Sequence, residues 1–195
     1  MSYNFFATIA RMKYIERWAL MRNTRSENLS EHSLEVSMIA HALCVIGNVR
    51  YGKSLDMDKA ALMAMYHDAS EIITGDMPTP VKYHNKLIRE AYKDLENEAN
   101  ESLLDQLPED IREAYRDIFF QCDKYEYEWK LVKAADKLSA LIKCTEEEKT
   151  GNREFVKAKE TIEQSIEKLA QKMPEVADYV RDFLPAYSKT LDELS

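Results

Sequence analysis

The chain has 195 residues, 45 % of them hydrophobic, with four glycines and five prolines, too apolar and too poor in breakers for a disordered or collagen-like polymer. A chain this long can bury about 70 % of its unfolded surface around one core, so a single domain over residues 1–195 is expected. Its 27 Lys and Arg against 35 Asp and Glu leave a formal charge of −8; that field argues against a nucleic-acid partner and requires local cations for any phosphate ligand.

Apolar residues recur at intervals of three and four along most of the chain, without the alternation and hairpin turns of strands, so the fold class is all-α. Residues 4–14 form the first predicted helix, and the polar, irregular stretch 16–25 reads as a loop with helical turns. Asn28, with Glu31 three residues on, resembles a capping box; behind it Val36, Ile39, Leu43 and Ile46 mark an apolar face running to about Asn48. A second helix, capped by Asp56 or Asp58, is predicted over 60–74, with Gly75 as its stop and the breaker-rich run from Asp76 to Pro80 behind it. From Pro80 a longer helix, charged on one side, is predicted to about Leu107. Pro108 opens a short one ending near Gln121. Residues 126–149 place Leu131, Val132, Ala135, Leu138 and Ile142 inward, with Gly151 as the stop; two further helices are separated by Pro174. The run Glu146-Glu147-Glu148 reads as a solvated helix end.

Cys44, Cys122 and Cys144 make no C-x-x-C pair and leave one thiol over from any disulfide, so they read as packing residues in a reducing compartment. The short apolar run at the N-terminus has no basic region before it, and no uncharged stretch nears the roughly 18 residues of a membrane span. A cytoplasmic protein without a membrane partner is expected.

The chemistry concentrates where polar residues interrupt apolar faces. His67 and Asp68 end the apolar run from Ala60 to Tyr66, and Glu71 lies one helical turn beyond His67. An ionised Asp in such a setting is costly unless paired or bound to a cation, and an adjacent imidazole supplies the nitrogen a transition metal prefers. His32 precedes Val36 and Ile39 at helical spacing, and Asp136 follows Val132 and Ala135. Two imidazoles and two carboxylates from separate helices make a mixed N/O site that suits Mn²⁺, Fe²⁺, Co²⁺ or Zn²⁺ and activates water. Taken alone, a histidine flanked by hydrophobics is more often a hydrogen-bonded core residue. His41, about 180° from His32 on the same helix, reads as packing or surface, and His84 as solvated.

His32, then His67-Asp68, then Asp136, each on a helix, resembles the H…HD…D signature of the HD-domain metal phosphohydrolases. Within them, Arg17-Trp18, Leu20-Met21-Arg22-Asn23, Arg25 with Glu27-Asn28, Ser30-Glu31-His32-Ser33, Met65 through Glu71, Thr74-Gly75-Asp76 and Pro78 through Lys82 resemble the bacterial 5′-deoxynucleotidases, over nearly the whole chain. The resemblance implies a single-domain HD-type helical bundle that hydrolyses 2′-deoxyribonucleoside 5′-monophosphates to deoxynucleoside and phosphate, and a homodimer. It implies one divalent ion on His32, His67, Asp68 and Asp136, with Co²⁺ or Mn²⁺ favoured and Fe²⁺, Zn²⁺ or Cu²⁺ as alternatives. Arg17 would orient the phosphate, and Trp18 would lie against the sugar and reject a 2′-hydroxyl. Asp76 would bond the 3′-oxygen, while Met77, Pro78 and Thr79 would line the nucleoside side; Met77 stands where Leu is expected in relatives. Glu71 would assist the attacking water; Glu71 or a water would protonate the leaving oxygen. His32, Asp68 and Asp136 would also border the substrate.

Two other readings stay open at this stage. A nucleotide pyrophosphohydrolase of the guanosine tetraphosphate type carries an acidic pair shortly after its His-Asp, whereas here Ile72 follows Glu71. The other is a non-catalytic HD module that keeps its metal for stability or partner recognition.

Overall fold

The computed structural model describes residues 2–82 and 84–194. Helix α1 (Phe5–Ile9) tightens into a 3-10 turn over Ala10–Tyr14, so the first predicted helix is present with its second half overwound. The loop that follows is closed at its base by backbone bonds, from Arg17 N–H to the Glu27 carbonyl at 2.8 Å and from Leu29 N–H to that of Ile15 at 3.0 Å.

Helix α2 (Leu29–Tyr51) starts where Asn28 Oδ1 accepts the N–H groups of Ser30 and Glu31 at 3.0 and 3.1 Å, satisfying two donors that the first turn leaves over. It runs three residues past the expected Asn48 and stops at Gly52, whose φ of 62° is readily reached only without a side chain. By length and composition α2 could cross a membrane. Here Val36, Ile39, Leu43 and Ile46 of α2 lie buried against α3 (Met57–Tyr66) and α8 (Glu126–Lys149), with Met63 of α3 and Leu131, Val132, Leu138 and Ile142 of α8 in the same core. Helix α8 has the bounds its periodicity predicts. Asp56 caps α3 by accepting Lys59 N–H at 2.9 Å, so α3 begins ahead of the expected Ala60.

Two long predicted helices are in fact divided. The segment 60–74 breaks after Tyr66 and resumes as α4 (Glu71–Thr74). The segment 80–107 divides into α5 (Thr79–Lys82) and α6 (Lys86–Leu104), because Asn85 Oδ1 takes the Ile88 N–H at 2.9 Å and opens a new helix. Helix α7 (Glu109–Phe119) packs with the end of α6 around the fully buried Phe5. Helices α9 (Val156–Ala170) and α10 (Pro174–Asp182) bring Ile166, Val176 and Tyr179 to the main core. Cys44 and Cys144 are free and buried, as packing residues, and burial pushes both thiols up to about 12.

The three-glutamate run is not all solvated. Glu147 faces inward at 1 % exposure, where it accepts Thr24 N–H at 2.9 Å, Thr24 Oγ1 at 2.8 Å, Lys143 Nζ at 2.5 Å and Asn152 Nδ2 at 2.8 Å. It ties the far end of the 16–28 loop to α8.

Candidate functional site

The break after Tyr66 builds the centre of the site. His67 Nδ1 sits 2.7 Å from the Ala64 carbonyl, and the backbone continues in tight three-residue turns, with Ala69 N–H on the Tyr66 carbonyl and Glu71 N–H on that of Asp68. A side chain that takes a carbonyl of its own helix competes with the four-residue ladder. The His67-Asp68 pair therefore turns toward α2 and α8 instead of lying along a continuous helix face.

His32, His67, Asp68 and Asp136 each offer one ligand atom, and these atoms all lie within 4.8 Å of one another. His67 Nε2 is 3.1 Å from Asp68 Oδ2, and His32 Nε2 is 3.2 Å from Asp136 Oδ1 and 3.6 Å from Asp68 Oδ2. Both Nε2 atoms are buried without a hydrogen-bond partner among the described residues. Their opposite ring nitrogens are engaged: His67 Nδ1 donates to the Ala64 carbonyl, and His32 Nδ1 lies 3.0 Å from Ser139 Oγ, which donates its own proton to Glu35 Oε2 at 2.5 Å. With the serine proton committed to Glu35, Ser139 accepts from His32. Each Nε2 then carries its lone pair toward the carboxylates. Two imidazole lone pairs and two carboxylates facing one point fit a divalent transition-metal ion.

Charge follows the same geometry. Burial and the Arg17 cation push His32 below its ordinary pKa. Burial alone would lower His67, but the Asp68 and Asp136 charges outweigh it and raise it. Burial disfavours the Asp68 and Asp136 anions, yet where the imidazoles take a proton at Nε2 in place of an ion, His67 with Arg17 holds Asp68 well below the carboxylate range and His32 holds Asp136 at about 2. Glu71 behaves oppositely. It is 5 % exposed with Oε2 unpartnered among the described residues, and burial plus the Asp68 and Asp76 carboxylates push it up to about 10.

The 16–28 loop brings a cation to this acidic centre. Arg17 Nη1 donates to Asp68 Oδ2 at 3.2 Å and Nε to Glu27 Oε2 at 3.3 Å. Trp18 adopts φ 59°, the left-handed region, which is costly for a residue with a Cβ and persists where surrounding contacts fix it. Its N–H donates to Asp76 Oδ2 at 3.1 Å, its Nε1 to Glu27 Oε2 at 3.1 Å, and its ring packs on Phe155 at 5.3 Å. Asp76 is thereby joined to the Arg17 loop. Met77 and Pro78 follow it half-buried and Thr79 exposed, at the start of α5.

Sequence reasoning gave Glu27 a place in the resembling motif but no role, and missed Glu35 and Ser139. Ser139 lies three residues after Asp136 on one face of α8, a spacing that could have marked it. Glu27 sits in a loop, where no period reports a side chain's direction.

The fold is shared with solved HD-domain phosphohydrolases. One from Listeria innocua aligns with a TM-score of 0.83 at 24 % identity over 94 % of this chain and 88 % of its own. The HD phosphohydrolase DatZ of cyanophage S-2L, solved with dA and one catalytic Zn²⁺, aligns at 0.67 and 17 % identity over 96 % and 98 %. At these identities the likeness is one of fold, and it defines an all-α HD-type helical bundle. In sequence, a 5′-deoxynucleotidase of Erwinia tasmaniensis is 48 % identical over 193 residues, covering 98 % of this chain and 96 % of the relative; one of Yersinia pestis is 45 % identical over 192 residues, covering 98 % and 96 %. Residues 4–187 match the family model described as 5′-deoxynucleotidase YfbR-like, and the chain belongs to that family.

Proposed function

We propose that the chain, acting as one domain over residues 1–195, hydrolyses 2′-deoxyribonucleoside 5′-monophosphates to deoxynucleoside and phosphate. The observation that carries this reading is the convergence of two buried imidazole nitrogens without a partner among the described residues, two carboxylates and the Arg17 guanidinium at one point, in a chain nearly half identical to named 5′-deoxynucleotidases.

His32, His67, Asp68 and Asp136 hold the ion, Co²⁺ or Mn²⁺ in preference to Fe²⁺, Zn²⁺ or Cu²⁺. A divalent ion there lowers the pKa of water and polarises a phosphoryl oxygen. Arg17 turns its planar fork to the phosphate, offsetting the acidic protein locally and orienting phosphorus for in-line attack. Glu71, beside the centre, exchanges a proton with the attacking water; it or a water protonates the leaving 5′-oxygen. Trp18 packs against the sugar, Asp76 accepts from the 3′-hydroxyl, and Met77, Pro78 and Thr79 line the nucleoside side. Met77 in place of Leu keeps a similar apolar volume and leaves the reaction unchanged.

A cytoplasmic homodimer with neither nucleic acid nor membrane as partner completes the reading. The exposed apolar row Leu34, Met38 and Val49 on one face of α2 supports a dimer contact there, and light scattering reports the mass. The activity is tested by phosphate release from metal-stripped protein resupplied with Co²⁺, Mn²⁺, Mg²⁺ or Zn²⁺, on deoxyadenosine monophosphate, adenosine monophosphate and guanosine tetraphosphate. Metal-dependent turnover of the deoxy monophosphate alone, lost in His67→Ala, is expected. Turnover of the tetraphosphate alone would replace the reaction, and tight metal binding without turnover would leave a binding module.

A further inference from the structure

We infer that Glu27 is a positioning residue that sets phosphate orientation and sugar selectivity together, by holding Arg17 and Trp18 on one carboxylate oxygen. The inference rests on the roles proposed above for those two residues. Glu27 Oε2 accepts from Arg17 Nε at 3.3 Å and from Trp18 Nε1 at 3.1 Å, so the two side chains share an anchor and cannot shift independently. The anchor is itself fixed. The Glu27 carbonyl accepts the Arg17 N–H at 2.8 Å, and the next residue, Asn28, pairs with Glu16 across the base of the loop and caps α2.

The carboxylate also decides what the indole can offer. Tryptophan has one side-chain donor, and Glu27 consumes it. With Nε1 so engaged and the ring packed on the fully buried Phe155, Trp18 presents only carbon to a sugar. A 2′-hydroxyl pressed against that carbon loses its water and gains no partner, which a deoxyribose avoids. Without Glu27 the indole N–H becomes free to meet a 2′-hydroxyl, the ring loses one of the contacts that fix its left-handed backbone, and Arg17 keeps Asp68 but loses its lateral hold.

The test compares Glu27→Ala, Glu27→Gln and the unmodified protein, each fully loaded with Co²⁺, on deoxyadenosine and adenosine monophosphates. The Trp18 indole N–H resonance is followed in parallel, assigned by its loss in Trp18→Phe. In Glu27→Ala the ratio of kcat/KM for deoxy over ribo substrate is expected to fall at least about tenfold, within the roughly hundredfold a pocket achieves against an added hydroxyl. KM for the deoxy substrate rises, and the indole N–H shifts and exchanges faster with solvent. Glu27→Gln keeps an oxygen acceptor in place and is expected to hold the ratio within about threefold. If Glu27→Ala does not fold, Glu27→Asp, which keeps the charge and withdraws it by one methylene, is expected to lower the ratio severalfold. Parallel loss on both substrates with an unchanged ratio, or an unmoved indole signal in Glu27→Ala, overturns the inference. Equal turnover of both sugars by the unmodified protein refutes the role proposed for Trp18; Glu27 is then judged on the indole signal, whose shift supports it and whose constancy refutes it.

Discussion

Helix α8 carries two charge clusters, one around the part-exposed Asp136 and one around the buried Glu147, about 16 Å apart at the rise of an α-helix, and they are built on opposite rules. Around Glu147 the protein supplies its own answer: the carboxylate receives Lys143, Thr24 and Asn152, and the Lys143 ammonium also reaches the Arg25 carbonyl at 2.5 Å. Around Asp136 the answer is left open, with His32 and His67 each burying a ring nitrogen that no described residue satisfies. A buried polar network that closes on itself fixes a structure, whereas one that leaves lone pairs facing inward is shaped for something from outside. Both clusters bear on the same loop, since Thr24 binds Glu147 and Arg17 binds Asp68.

Separating the two clusters by mutation sharpens the contrast. The largest effect is expected from His67→Ala, which should cut deoxynucleotide hydrolysis about a thousandfold or more, several kcal/mol of transition-state stabilisation, in a phosphate-release assay. Next is Glu147→Ala, which leaves the Lys143 ammonium buried without its partner. About 3–5 kcal/mol of stability should be lost, and Tm should fall by roughly 10 °C in a thermal melt, while metal binding by the folded protein persists. The same cluster has an acid signature. Its donors hold the Glu147 carboxyl at about 2, below the ordinary 4.5, so the folded state takes up that proton less readily than the unfolded. The stabilisation is complete above the unfolded value and drains away as pH falls toward the folded one. The stability gap between the unmodified protein and Glu147→Gln should therefore narrow from about pH 5 downward in denaturant titrations.

Smaller effects belong to the open cluster. Co²⁺ or Mn²⁺ at about a hundredfold over its Kd should stabilise the fold by about 2.7 kcal/mol and raise Tm by roughly 5–10 °C, a rise absent from Asp136→Asn. Smallest is Ser139→Ala, which removes the acceptor that orients His32; metal affinity by calorimetry should weaken about tenfold with little change in the metal-free Tm. Equal loss of metal affinity in Glu147→Ala and Ser139→Ala would erase the distinction between the clusters.

The four-residue centre was legible because each member interrupts an apolar face, and an ionisable group in such a place needs a reason. Helix α8 was legible end to end, since one face of its 24 residues enters the core at regular spacing. The break at His67 was not, because it depends on a ring nitrogen taking the Ala64 carbonyl, and hydrophobic periodicity records no side-chain-to-backbone bond. Glu147 was hidden by its neighbours: in a run of three glutamates on a helix the middle one points some 100° from each of the others. Glu27 shares a loop with Arg17, Arg22 and Arg25, and only tertiary contact shows which charge in it turns inward.

The contacts that assemble the centre span long stretches of chain. His32 and Ser139 are 107 residues apart, Thr24 and Glu147 123, Trp18 and Asp76 58, and Arg17 and Asp68 51. Closing such loops is slow and comes after local helices have formed. No fragment of the nascent chain presents the four ligands together, so an ion has nothing to grip until the bundle has closed. In kinetic terms it acts as a bolt rather than a template, leaving the refolding rate unchanged while lengthening the lifetime of the native state.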